Sequence, residues 1–429
     1  MTEIKLKNNN YNFIDTLNLF LIGLYPVAII TGNFFINFFT FLISLNFFLN
    51  IRNNIYYLKQ KAFYIFIFFF FTLIINLIFS INFENTAPRI IKFFFIIFFI
   101  FEFQRVTQKF EDTYLKTIFK FWFILFIIIS LDIIFEIIVG QNLLGFKAYL
   151  PGRVASFFGD ELVVGAFYHG FVLIFLSYLV NIQSNKFVLL LSILCVILIS
   201  FLIGERSNFI KLFISVLIFF LLLTKINYKT LISIIVILVI SFLGIINFND
   251  EYKDRYLYQF VPTHGASPAL RPSGSLFSIN GYFDFMKKSQ HGAHRISAYQ
   301  IFKDNMYTGV GIKNFRDVVA EKKYENNEYL LTKFRHGTHP HQIHYEFLSE
   351  TGIIGYISFL IFISFSLFLA IKSFLKTKNL YQLSGIIYII TNLLPIIPSG
   401  GFFSTFTSGI FWINFALMIG YNENIKSEI

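Results

Sequence analysis

Residues 187–224 read FVLLLSILCVILISFLIGERSNFIKLFISVLIFFLLLT. Two apolar runs, 187–203 and 207–224, are each about as long as a helix needs to be to cross a bilayer, roughly 17–25 residues. Only Gly204-Glu205-Arg206-Ser207-Asn208 interrupts them. A connection with almost no length makes the pair a membrane hairpin and leaves Arg206 near the membrane boundary. Working outward, ten more runs of the same kind appear: 14–31, 34–50, 63–82, 90–104, 119–139, 162–180, 230–247, 353–371, 381–397 and 405–421. The first two could instead form a re-entrant hairpin around Thr31-Gly32-Asn33, and the run at 90–104 is short.

Composition agrees. The apolar set is 56% of the 429 residues and the charged set 14%, where a soluble domain carries about 25% charge. So few charges could not cover a water-soluble globule, and the same numbers exclude fibrous, collagen-like and disordered classes. Phe occurs 62 times, alongside heavy use of Ile, Asn and Lys, so this excess reflects a biased genome as much as function. The one cysteine, Cys195, lies in an apolar run and allows neither an internal disulfide nor a Cys-based zinc site. The start, Met1 to Asn12, is polar, with Lys5 and Lys7 and no evident cleavable signal. With that end in the cytoplasm, sixteen basic residues fall in cytoplasmic segments and six in the short external connections, as the positive-inside rule requires. Much of the net charge of +11 is thus ordinary topology, and no nucleic-acid partner is expected.

The expected fold class is an all-α membrane protein of about twelve spans, both termini inside, with one large helical loop on the outer face. The organisation is 1–247 (spans one to nine), 248–349 (external loop domain) and 350–429 (spans ten to twelve and a tail). The loop is polar, holds seven of the eight histidines and suggests short helices at 293–305, 314–322 and 341–350. Loops this long are usually functional.

Lysine outnumbers arginine 25 to 10, yet on this topology eight arginines lie outside: Arg89, Arg153, Arg206, Arg255, Arg271, Arg295, Arg316 and Arg335. Lysine satisfies the topology rule equally well, whereas a planar bidentate contact to phosphate or carboxylate calls for guanidinium. The outer face is therefore expected to hold an anion, against the alternative of arginines paired with the loop's own acids. Arg206 is the sharper case. An ionisable group at that depth is costly, and Arg206 opens a helix whose unpaired N–H groups favour anions; a salt bridge to Glu205 is the competing reading. Asp132 and Glu136 share one helical face of an apolar run. They suit a structural role, a substrate-orienting role or the acid pair of a proton-coupled transporter.

His336, His339, His341 and His344 crowd one stretch. His341 and His344 stand at i, i+3 without the intervening Glu of a His-Glu-x-x-His zinc site. A general base is the favoured reading over a metal site, because a neutral imidazole takes a proton near pH 7. Pro340 is placed to begin a helix at its first turn.

Four segments carry a family resemblance. His341-Gln342-Ile343-His344-Tyr345-Glu346, running on to Gly352-Ile353-Ile354-Gly355, is similar to a His-Asn-x-x-Leu-acidic element followed by Gly-x-x-Gly entering a span; Gln342 and Tyr345 depart from the commonest residues there. Gly309-Val310-Gly311-Ile312-Lys313-Asn314-Phe315 resembles a Gly-x-Gly-x-x-Asn-Phe turn, Gly204-Glu205-Arg206-Ser207 a Ser-Arg-Gly element, and Phe158-Gly159-Asp160 a Phe-Gly-Asp/Asn segment. Together they resemble the O-antigen ligase and polymerase superfamily of bacterial membrane glycosyltransferases. The resemblance implies a polyprenyl-diphosphate-linked glycan as donor and transfer at the outer side of the inner membrane. The acceptor is lipid A core for a ligase or a second lipid-linked glycan for a polymerase, and the shortness of the loop after the fifth span leans towards ligase. It further implies that Arg206 and Arg295 bind the diphosphate and His341 deprotonates the acceptor hydroxyl, with inversion and with neither cofactor nor metal. Arg153, Asp160, His344 and Tyr345 are expected to bind substrate. The competitor from another class is a polysaccharide or proton-coupled transporter, which calls for inverted repeats and broken helices at mid-membrane; no repeat is visible.

Overall fold

The computed structural model describes residues 13–110, 112–159, 161–223, 228–253, 255–256, 290–325 and 335–421. Among these the chain is helical: α1 Phe13–Gly23, α2 Tyr25–Thr31, α3 Asn33–Leu49, α4 Ile51–Leu58, α5 Lys61–Ile78, α6 Phe83–Lys109, α7 Asp112–Val139, α8 Val164–Asn181, α9 Lys186–Leu202, α10 Arg206–Leu223, α11 Tyr228–Phe248, α12 Asp250–Lys253, α13 Gln290–Asp304, α14 Phe315–Val318, α15 Ile343–Thr377, α16 Leu380–Asn392 and α17 Thr405–Gly420. Each of the twelve apolar runs contains helix, though not every run is helical to its end. Five helices, α5, α7, α8, α10 and α15, are long and apolar enough to cross a membrane, and α1 with α2, bent by 50°, make a sixth as one broken span. Among the other helices α3, α9 and α17 are apolar and 16 or 17 residues long. The count of twelve spans remains an expectation.

Asparagines punctuate the bundle. Asn82, Asn185 and Asn379 accept from amides of the first turns of α6, α9 and α16, satisfying donors that a helix start leaves unpaired. Phenylalanine serves two surfaces. Inside, Phe66, Phe69, Phe362, Trp412 and Phe415 interlock, Phe69 stacking on Phe362 at 5.2 Å and Phe66 meeting Phe415 at 5.5 Å. Outside, Phe34, Phe68, Phe71 and Phe368 lie exposed, an apolar exterior suited to lipid rather than water. Arg105, counted towards topology from the sequence, is buried in an ion network with Asp15 at 2.6 Å and Glu102.

Three boundaries differ from the sequence reading. The run at 381–397 stops being helix at Asn392, because Pro395 and Pro398 remove amide donors and restrict the residues before them. Its remainder forms a loop that matters below. Pro340 does not open a helix: α15 begins at Ile343, with Gln342 as its cap accepting from the Tyr345 amide. The loop helix expected at 293–305 starts at Gln290 and so includes His291.

α15 is broken at Gly352, whose φ of 64° is left-handed. The break explains two of the quoted motifs as one packing unit. Carbonyls of Ser349 and Glu350, freed by the break, accept from the amides of Val310 (3.0 Å) and Gly311 (2.9 Å). Ile353 and Ile354 return amides to Met306 and Tyr307. Asn76, buried on α5, completes the joint by donating to Thr308 and Glu350 carbonyls and accepting from the Ile312 amide. A Cβ on Gly352 would stand 2.3 Å from the Tyr307 carbonyl oxygen. Gly352→Ala is therefore expected to lower the melting temperature of the detergent-solubilised protein by several degrees, since both the clash and the positive φ oppose it; an unchanged melting curve would contradict the joint's role.

Candidate functional site

One end of the bundle gathers the starts of α8, α10 and α17, the end of α16 and the polar helix α13 around a cavity of about 380 Å³. Two buried carboxylates on α7 hold the segment that brings Arg153 to the cavity. Asp132 accepts from the Leu143 amide (2.9 Å) and the Ser156 hydroxyl (2.6 Å). Glu136 accepts from the Ala155 and Ser156 amides, the latter at 2.6 Å. The pair thus holds the chain from 142 to 156 against the bundle, a structural role, and the held segment delivers Arg153.

Arg153 then meets the turn between α9 and α10. Its Nη2 donates to Glu205 Oε1 at 3.0 Å and to the Leu162 carbonyl at 2.9 Å. Glu205 also accepts from the Gly165 amide and from Asn208, so the salt bridge foreseen within Gly204-Glu205-Arg206 forms to Arg153 instead. Gly204 permits the approach: at φ 78°, a Cβ there would lie 2.0 Å from the Gly152 carbonyl oxygen. Arg255 crosses the same turn, donating from Nε to the Gly204 carbonyl. Arg206 reaches the Arg255 carbonyl at 3.3 Å. Arg153, Arg206 and Arg255 all line the cavity.

Imidazoles share the lining with these guanidinium groups. His291, His339 and His341 line the cavity. The His341 ring lies 4.1 Å from that of His339, 5.0 Å from that of His294 and 5.3 Å from that of His291, between ring centres. His341 has a left-handed φ of 54°, and its carbonyl accepts from the Ser399 amide at 2.9 Å. Burial holds these imidazoles neutral, and mutual repulsion adds to it: His341 is lowered to about 3 by burial and then by His291 and His294. His291 is lowered to about 4 by burial, then by His294, Arg295 and Arg206. Arg295 and Arg206 thus act on the same imidazole from two helices. Among the described residues no group of three or more His, Cys, Asp or Glu side chains is arranged to hold a metal ion.

The structure therefore brings Arg153, Arg206 and His341 to one cavity. Arg295 stands one turn beyond His291 on α13 and donates to the Ile396 carbonyl at 2.9 Å. His344 points elsewhere, bonded through Nε2 to the Leu393 carbonyl (2.8 Å) and through Nδ1 to the Tyr356 hydroxyl. With Gln342, which donates to the Pro395 carbonyl, Arg295 and His344 clamp the loop after α16, and that loop contributes Ser399 and Gly400 to the cavity. Tyr345 packs against the small apolar cluster that includes Ile301, Val310 and Phe315. Asp160 lies outside the described residues. The sequence reading did not single out His291 or Lys211, and it named His339 only within the histidine cluster and Arg255 only among the external arginines. The i, i+4 spacing of His291 and Arg295 on one face was the available signal for the first.

Residues 189–360 match the family model described as O-antigen ligase; the match supports the resemblance to the O-antigen ligase and polymerase superfamily and spans the α9–α10 turn, α13 and His341. A comparison with curated proteins finds no match.

Removing Glu136 leaves two buried amides without their acceptor, at about 1–3 kcal/mol each. Glu136→Ala is accordingly expected to destabilise the protein by several kcal/mol in an unfolding titration in detergent, and Glu136→Gln by less; a wild-type midpoint for the alanine variant would show that the loop is held by other contacts.

Proposed function

We propose that this chain transfers a glycan from a polyprenyl diphosphate to an acceptor hydroxyl on the outer side of the bacterial inner membrane, in the manner of an O-antigen ligase. The observation that carries the reading is one cavity lined both by guanidinium groups and by imidazoles that burial holds neutral. A leaving diphosphate develops charge that fixed cations stabilise. Arg206, helped by Arg153 and Arg255, receives the diphosphate, with Arg295 at the edge of the same electrostatic field. His341 accepts the acceptor's hydroxyl proton. The oxygen then forms its bond to the anomeric carbon as the bond from that carbon to the diphosphate breaks, the electron pair leaving with the phosphate. Attack from the face opposite the leaving group inverts the configuration. The step needs no nucleotide sugar and no metal.

Both termini are assigned to the cytoplasm and the cavity to the periplasmic side. Ligase and polymerase chemistry use the same site and differ in the acceptor: lipid A core in the first, a second lipid-linked glycan in the second. The deciding experiment incubates the purified protein with a lipid-linked glycan alone and with lipid A core added. Transfer to lipid A core supports ligase, and chain extension without it supports the polymerase. No turnover in either, with the lipid-linked glycan found translocated across vesicles, favours a transporter and overturns the proposal. Activity abolished by EDTA and restored by zinc would replace the base with a metal centre.

Arg206→Ala is expected to lower transfer about 10²–10³-fold while the protein still inserts, and Arg206→Lys to recover only part, because a point charge lacks the bidentate fork; normal glycan ladders in a complemented strain would refute the role. His341→Ala is expected to stop turnover and retain donor binding. Because the free protein's imidazoles are depressed to about 3 and about 4, kcat/KM is expected to stay flat from pH 8 down to pH 5. The acid limb of kcat/KM reports the free base, so a half-point near pH 6.5 would show that the proton acceptor is another, unperturbed group.

A further inference from the structure

The cavity does not stop at the helix ends. Its lining continues down to Lys211 on α10, His169 on α8, Tyr388 and Asn392 on α16, and Ile410 on α17. Lys211 follows Arg206 by about one and a half turns, a descent of roughly 7 Å along a helix axis. It is 1% exposed. Among the described residues its Nζ donates to the Asn392 amide oxygen at 3.2 Å and meets no carboxylate. Nothing in the sequence's topology explains it: a lysine needed only for positive-inside balance or snorkelling extends its head to water, and this one is turned inward at membrane depth, where an ammonium is costly. Around it the polar network is complete in itself. His169 Nε2 reaches the Ser215 and Thr391 hydroxyls at 3.2 Å each, and Ser215 and Thr391 are 2.8 Å apart. Lys211 is not needed to satisfy any of them. Taken over the described lining, four cationic side chains (Arg153, Arg206, Lys211 and Arg255) face one carboxylate, Glu205, and that carboxylate is engaged by Arg153 at the rim.

We propose that Lys211 forms a second, deeper anion subsite that takes the phosphate esterified to the lipid, while the arginines at the rim take the phosphate esterified to the sugar. The inference rests on the donor reading above and adds to it a division of labour by depth. A lipid diphosphate enters with its chain in the bilayer, so its lipid-side phosphate lies nearer the membrane interior than its sugar-side phosphate. A cation below the rim matches the former in depth and in charge, and the Asn392 amide oxygen fixes the ammonium's direction.

The test uses full-length protein and ligands that do not turn over: polyprenyl diphosphate, polyprenyl monophosphate and inorganic phosphate. Polyprenyl monophosphate carries only the lipid-side phosphate. Lys211→Met is expected to weaken binding of both polyprenyl ligands by about tenfold to hundredfold, the effect of losing a charged hydrogen bond. Arg206→Ala is expected to weaken the diphosphate and leave the monophosphate within about twofold. Lys211→Arg is expected to keep most monophosphate affinity. Methionine fills a similar volume without a buried charge, so Lys211→Met is expected to melt at or above the wild-type temperature. A structural lysine would give the reverse: a lower melting temperature and unchanged monophosphate affinity, which overturns the inference. Equal displacement of the lipid ligands by inorganic phosphate also overturns it, by marking a site for soluble anions. Failure of the wild type to bind polyprenyl diphosphate at all is a different result, and overturns the donor reading itself.

Discussion

Loop backbone at the end of an apolar bundle must find its hydrogen-bond partners within the protein, and buried side chains on the helices supply them here. Glu136 takes the amides of Ala155 and Ser156, Glu346 those of Phe402 and Phe403, and Asn76 completes the turn at Thr308–Ile312. Each of these contacts fixes a loop that would otherwise expose orphaned donors, and each fixed loop borders the cavity or packs against α15, whose start lies two residues after His341. The polar residues that look anomalous in the apolar runs are mostly anchors for loops, and the charged groups left facing the cavity are the ones available for chemistry.

That division explains what the sequence could and could not disclose. Spacing and apolar length placed the helices, because a run without charge has few alternatives in a membrane. The α9–α10 turn was legible as a site because Arg206 interrupts such a run with no loop to hide in. The Gly309 and Gly352 motifs were legible as signatures but not as a joint, since nothing in either segment says that its amides and carbonyls are meant for the other. His291 escaped notice, and Arg255 was not separated from the other external arginines, because their loop offers many polar residues and only three-dimensional packing selects among them. Lys211 escaped for the opposite reason, being explained too readily as one more basic residue near a helix start. The run at 381–397 misled through its hydropathy. Two prolines override apolar length, and the released chain becomes the loop clamped by Arg295, Gln342 and His344.

The clamp also reframes two residues that the family resemblance associates with substrate. Arg295 bonds a carbonyl of the loop and acts electrically on His291, so one side chain both holds the wall and biases its charge state. His344 bonds outside the cavity, on the same helix turn whose cap, Gln342, grips the loop. The loop is thereby held from α13 and the start of α15, the two elements that flank the imidazole cluster. Reacting groups held on rigid elements keep their geometry without cost at the moment of reaction.

His341 occupies the left-handed region, where the backbone, more than the side-chain rotamer, aims the ring. Its carbonyl is tied to the Ser399 amide in the loop that walls the cavity. The bond couples the two, so on the function proposed above the fit of an incoming alcohol against that wall and the alignment of the proposed base are geared together.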